Sequence, residues 1–258
     1  MRSIVLACLM VGIMALPAAA HFGMVIPESN IATQQTRSTD IRLSFAHPFE
    51  QAGMPLVALD KFFVFHNGNI TNLLPTLSSA KVMNADGWKS HFTFTRPGVY
   101  QFVMEPVPYW EPEEDCFIVH YTKTYVAAFG SEEGWDVPVG LPTEIVPLTR
   151  PYGLYAGNNF SGQVLVNGKP APNTVVEYEL YNTAGYAAPT EHHYTLVTKT
   201  DPQGIFTVTL PVAGWWGFAA LTTADYTLPA PANASGKPKE KAVELGAVLW
   251  IKLDAFSK

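Results

Sequence analysis

The sequence predicts an all-β protein built as two β-sandwiches in tandem. Three observations point there. Prolines (21) and glycines (19) recur between short aromatic and β-branched runs, the rhythm of strands and turns. Several of those runs alternate apolar and polar residues with period two. No segment sustains a helical period.

The chain opens with a secretory signal pattern over residues 1–20. Met1-Arg2 is a short basic region, Ile4 to Leu16 is apolar, and Pro17 precedes the A-x-A site Ala18-Ala19-Ala20. The apolar stretch is too short for a comfortable transmembrane helix, and no later run is long enough to span a bilayer. The reading is an exported, periplasmic protein with no direct membrane insertion. Cys8 lies too close to the start, with its apolar region after it, to be a lipoprotein site. Its removal leaves Cys116 alone, so the fold must rest on its core rather than on a disulfide.

The first sandwich is assigned to residues 21–148. Ile41, Leu43 and Phe45 alternate within Asp40–Ala46, and His47 continues their row until Pro48 stops the strand. Lys61–His66 is a denser apolar run closed by the turn Asn67-Gly68. His91–Thr95 and Val99–Met104 flank Arg96-Pro97-Gly98 as a hairpin. Cys116–Phe129 reads as one long strand, with His120 on the face opposite Phe117, Val119 and Tyr121.

The second sandwich is assigned to residues 149–258, after a connection over Pro147–Gly157. Phe160–Val166, the turn Asn167-Gly168, and Val175–Leu180 follow. Thr200–Gly204 turns the chain into Ile205–Leu210, and Pro211–Gly214 leads to Trp215–Ala220. Pro229–Lys241 reads as a loop, with Lys237, Lys239 and Lys241 as solvated charges. Val243–Leu253 is the last strand. The order G-x-V-x-x-x-G-x-P, D-x-x-G-x-F and G-x-W-x-F resembles transthyretin-like, Ig-like appendage domains. That resemblance speaks to fold and carries no chemistry.

Sixteen basic residues stand against 22 acidic ones, for a net charge of −6. This balance argues against nucleic acid and anionic membranes as partners and mildly favours cations. Catalytic signatures are absent: there is no G-x-S-x-G elbow, H-E-x-x-H or P-loop. Cys116 has no local nucleophile signature and reads as a packed residue.

The chemistry is carried by histidine. Cleavage after Ala20 makes His21 the first residue, and a terminal histidine offers both an α-amine and an imidazole to one metal ion. Two further imidazoles would complete a site for Ni, Co, Cu or Zn. His47, at a sandwich rim, is either a ligand or a hydrogen-bonded core residue. His120 projects from a long rigid strand, a good platform for a ligand. Met24 is a weaker thioether candidate. Glu111, in the acidic run Glu111-Pro112-Glu113-Glu114-Asp115, is a weaker carboxylate candidate, as a ligand or as a group orienting a ligand imidazole. His66, His91, His192 and His193 fall outside this set. An adjacent pair such as His192-His193 points to opposite faces of an extended chain.

Across its mature length the chain resembles a bacterial periplasmic family described as the extracytoplasmic component of cobalt/nickel transport, which carries a domain of unknown function tied to nickel uptake. The likeness rests on His21-Phe22-Gly23-Met24, Phe45-Ala46-His47-Pro48-Phe49-Glu50, Pro108-Tyr109-Trp110-Glu111-Pro112, Phe117–Lys123, Glu132–Asp136, Thr143–Leu154 and Ala213–Ala220. The resemblance implies a non-enzymatic carrier of nickel or cobalt, with a membrane metal transporter as its partner. Two other readings stay open. One is a copper oxidase with a histidine brace of His21, His47 and His120. The other is a metal-free adhesion or structural module.

Overall fold

The computed structural model describes residues 21–56, 58–232 and 239–256. The signal segment 1–20 and Lys237 lie outside the described residues. The described residues are all-β, with two short 3-10 turns at Leu74–Thr76 and Glu191–His193. No helix among the described residues is long and apolar enough to cross a membrane.

The strands form three layers. The middle layer is an eleven-stranded sheet whose main path begins at Leu196–Lys199 and Val175–Leu180. It continues through Gly214–Pro229, Glu240–Asp254, Cys116–Ala128, Gly98–Pro106 and Leu59–His66 to Asn69–Asn72. One outer layer holds Phe22–Pro27, Ser38–His47, Ala85–Thr93 and Ser78–Val82, with Ala52–Met54 on its side. The other outer layer holds Thr143–Pro147, Asn159–Val166, Lys169–Pro170 and Ile205–Thr209.

Side-chain alternation explains why the middle sheet can be covered on both faces. Along the last strand, Val248 and Trp250 pack with Phe22 and Met24 of the first outer layer. Ala247, Leu249, Ile251 and Leu253 point the other way, into a core with Phe160, Val164 and Phe206. The central strand Cys116–Ala128 does the same. Ile118, Val126 and Ala128 join the core of Ile41, Leu43 and Phe45. Tyr125 and Ala127 join the core of the second half.

The two halves therefore share a sheet. The last strand runs parallel to Cys116–Ala128, from Phe117↔Val243 to Thr124↔Trp250, and antiparallel to Gly214–Pro229. Local turn punctuation separates the halves, but pairing between residues more than a hundred positions apart leaves no trace in it.

The stretch Pro229–Lys241 differs from its expected loop. Pairing continues outward to Pro229↔Glu240, so strand structure extends to both ends of the segment. Lys241 is a correction to the reading of solvated lysines. It is only 2% exposed, its Nζ donates to both carboxylate oxygens of Asp115 at 2.7 and 2.6 Å, and it lies 5.8 Å from the Trp110 ring centre. A buried ammonium needs such a partner, and Asp115 comes from a distant turn.

Candidate metal centre

The site is built from the first strand upward. Among the described residues, Phe22–Pro27 is an edge strand paired only with Ser38–His47, from Phe22↔Ala46 to Pro27↔Ile41. Its outer backbone groups need partners from elsewhere. At Gly23 they come from the middle sheet: the Gly23 N–H donates to His120 Nδ1 at 3.3 Å, and Trp250 Nε1–H donates to the Gly23 carbonyl at 2.8 Å. Only glycine allows this approach, because a Cβ there would collide with Thr122 Oγ1. The first strand is thus pinned two residues after His21.

The same register sets the partner of His21. One step beyond Phe22↔Ala46, an antiparallel ladder brings position 21 opposite 47. The His21 and His47 rings lie 4.7 Å apart, centre to centre, tilted by 49°. Phe45 stacks on His21 at 5.7 Å. Glu111, on the short strand Tyr109–Glu111, brings a carboxylate oxygen 3.3 Å from His21 Nε2. Glu111 is 6% exposed, whereas Glu113, Glu114 and Asp115 after it are exposed. Pairing with Cys116 turns Glu111 inward and leaves the rest of the acidic run in a solvated turn.

His120 lies behind this pair. It is 1% exposed and meets Phe45 edge to face at 5.6 Å. While Nδ1 accepts the Gly23 N–H, a proton on the ring has only Nε2 to occupy. That nitrogen has no hydrogen-bond partner among the described residues and faces Glu244 at 3.8 Å. In this arrangement His120 props the first strand.

Burial first, and then the charges of His47 and His120, push the His21 imidazole down to about 3. It is therefore neutral, with a lone pair to give, throughout the physiological range. Its Nε2 faces Glu111, which leaves Nδ1, the nitrogen nearer the residue's own backbone N, on the other side of the ring. Were His21 the first residue, its amine and Nδ1 would close a six-membered chelate ring around a metal ion. Burial, followed by the charges of Glu244, Glu114 and Glu111, pushes the Cys116 thiol up to about 12. It is thus protonated at neutral pH and a poor nucleophile or ligand.

The structure thus brings His21, His47 and Glu111 together and sets His120 one ring away. Met24 leaves the opposite face of the strand and packs with Trp215, Val248 and Trp250. His66 stacks on Tyr100, His91 pairs with Asp40, and His192 and His193 lie on an exposed turn. Among the described residues, no three His, Cys, Asp or Glu side chains form a ready ligand group. An α-amine is not a side chain, and a His21 terminus would add that third nitrogen. The resulting amine and two imidazoles suit a borderline transition metal. Glu244 carries no signal in the local sequence. It sits in the last strand at Ile118↔Glu244, a pairing that local patterns do not reveal.

A Cβ at Gly246 would collide with His120 Cδ2 and lie 2.6 Å from its Nε2. Gly246→Ala should push the ring off the Gly23 N–H. The expected result is a loss of about 1–3 kcal/mol in urea unfolding, as for overpacked cores. An unchanged midpoint would show that the ring moves aside freely.

A family model described as a domain of unknown function, DUF4198, matches residues 18–224. The chain belongs to the DUF4198 family. The matched span of the DUF4198 domain includes His21, His47, Glu111 and His120. No curated protein matches the chain in sequence. Among solved structures, the D0-D1 domain of Intimin is 12% identical, covers 88% of this chain and 99% of its own, and has a TM-score of 0.24. An I-band fragment of titin is 9% identical over 91% of this chain and 66% of its own, with a TM-score of 0.23. Dimeric latent PorU from Porphyromonas gingivalis is 11% identical over 92% of this chain and 21% of its own, also at 0.23. At such TM-scores the layer arrangement is read from this chain's own strands.

Proposed function

We propose that this DUF4198 protein is an exported transition-metal-binding protein serving nickel or cobalt uptake. Its ligands are the His21 α-amine, the His21 imidazole and the His47 imidazole. The observation that carries this reading is the His21–His47 contact at 4.7 Å, with a buried carboxylate on the outer nitrogen of His21. A carboxylate behind a ligand imidazole fixes its tautomer and raises its basicity, the usual support for a metal-binding histidine. Glu111 has that role here, and His120 holds the strand that presents His21. The periplasmic location and a membrane transporter as recipient follow from the signal pattern and from the family resemblance. The nitrogen-rich set supports a transition metal over calcium or magnesium, which prefer oxygen.

A second reading keeps the same ligands and changes the metal. An amine and two imidazoles leave room for the tetragonal geometry that Cu(II) prefers, and copper binds such donors most tightly of the first-row divalent ions. A copper oxidase would consume reductant and oxygen; a carrier would not.

The test uses protein secreted with His21 as its first residue. Elemental analysis of material purified without added metal should find about one transition-metal ion per chain. Glu111→Gln should weaken nickel and cobalt binding by about 10–100-fold in calorimetric titrations, the usual cost of losing such a support. A metal-free secreted protein that also fails to take up nickel, cobalt or copper in titration would overturn the reading.

A further inference from the structure

The turn that follows His47 is held by the second half of the chain. Val175–Leu180 alternates so that Val176, Tyr178 and Leu180 pack into the core of the second half, while Glu177 and Glu179 face the other way. Glu179 is 2% exposed, a position a carboxyl takes only with partners. One oxygen accepts the Phe49 N–H at 3.1 Å, and the other meets the Thr195 hydroxyl at 2.5 Å. Asn182, 6% exposed, adds a second grip. Its backbone N–H donates to the Pro48 carbonyl at 3.2 Å, and its side-chain amide donates to the Phe49 carbonyl at 3.2 Å. The Asn182 side chain is itself fixed by the Tyr186 N–H and carbonyl, at 2.7 and 2.8 Å. Tyr194 stacks on the Phe49 ring at 5.2 Å.

Pro48 and Phe49 are the two residues after His47. Their backbone groups are therefore tied, through Glu179 and Asn182, to a strand and a loop about 130 residues further along. We infer that Glu179 and Asn182 are positioning residues for His47, so that the second half of the chain sets the geometry of the metal centre built by the first. This inference rests on the proposed metal site. It gives the second half a part in that site, although it contributes no ligand.

Burial pushes the Glu179 carboxyl up to about 8, so its neutral form predominates at pH 7. Glutamine copies that form. Its oxygen can accept the Phe49 N–H, and its amide can donate to Thr195. Alanine removes both contacts. Glu179→Gln should therefore rescue what Glu179→Ala loses.

The experiment compares native-terminus protein with Glu179→Ala, Glu179→Gln and Asn182→Ala. Val208→Ala, in the core against the far face of the middle sheet, serves as a destabilised control. Cobalt titration reads affinity and the d–d absorption bands, and NMR reads the His47 ring protons, assigned with His47→Ala. Glu179→Ala and Asn182→Ala are expected to weaken cobalt by at least about tenfold, the lower end for losing a group that holds a ligand in place. They should also shift the bands and move the His47 ring resonances without metal. Glu179→Gln and Val208→Ala should keep native affinity, bands and resonances. If Glu179→Ala does not fold, Asn182→Ala decides alone. Native affinity and unmoved His47 resonances in the alanine variants would overturn the inference, as would an equal affinity loss in Val208→Ala. Should the native protein bind no metal, the metal reading fails, and the His47 resonances still decide whether Glu179 and Asn182 position that ring.

Discussion

Adding a single residue ahead of His21 is expected to weaken metal binding by about 100-fold or more while leaving the fold intact. A preceding residue turns the α-amine into an amide, which gives up its lone pair and its place in the chelate ring. A lost supporting group already costs about 10–100-fold, and a lost ligand should cost no less. The pH dependence changes with it. An unperturbed α-amine titrates at about 7.7–8.0, so in the native protein metal should compete with that proton near neutrality, and affinity should fall as pH falls below this range. The His21 imidazole adds little to the competition, because its own proton is not taken up until about pH 3 in the folded protein. The extended protein has no amine to protonate at this position, so this part of its affinity profile should be flat. His21→Ala keeps the amine and removes the imidazole, and should lose affinity to a similar degree. His192→Ala and His193→Ala, on their exposed turn, should match the native protein. Calorimetry with nickel, cobalt and copper from about pH 6 to 9, spanning the amine titration, separates these cases on all five proteins. Equal affinity for the native and extended chains would remove the terminal chelate from the mechanism.

The side-chain directions around His47 and His120 were legible in the sequence because they depend on local periodicity. The row Ile41, Leu43, Phe45 is buried in one core, and His47 ends it at the rim. His120 leaves the face opposite Phe117, Val119 and Tyr121, as alternation requires. The less legible parts depend on long-range pairing. Nothing near His21 shows that its strand lies beside Ser38–His47, yet that register alone puts two imidazoles in contact. Nothing near Glu111 separates it from its three exposed acidic neighbours except the short ladder to Cys116. His120 shows the limit of reading by residue type. Its position follows from the strand, but its work is set by the Gly23 N–H, which reaches it across the layers. Glu179 and Asn182 carry no local signal for the same reason: their partners lie in a turn of the other half.

The largest effect on stability is expected on the other face of the central strand. Lys123 and Glu144 are 1% and 2% exposed on their side chains, and Nζ donates to Oε1 at 2.5 Å. Glu144 also accepts the N–H groups of Val139, Gly140 and Leu141, at 2.8, 2.9 and 3.3 Å. Burial alone would raise its carboxyl, but the charge and hydrogen bond of Lys123, with the backbone N–H groups, outweigh this and hold it below the usual carboxylate value. The pair joins the central strand to Thr143–Pro147, the strand that leads into the second half. Removing one partner leaves the other charge buried without compensation, which costs about 3–5 kcal/mol. Lys123→Met and Glu144→Gln should each lose about that much in urea unfolding. The double variant should lose much less than their sum, because the glutamine still accepts backbone N–H groups and no charge is stranded. Purely additive losses would mean that the two side chains do not stabilise one another. Lys123 points away from the face that carries His120 and Thr122. Metal affinity per folded molecule should therefore stay native in all three variants, so loss of fold and loss of the metal centre can be read separately on the same strand.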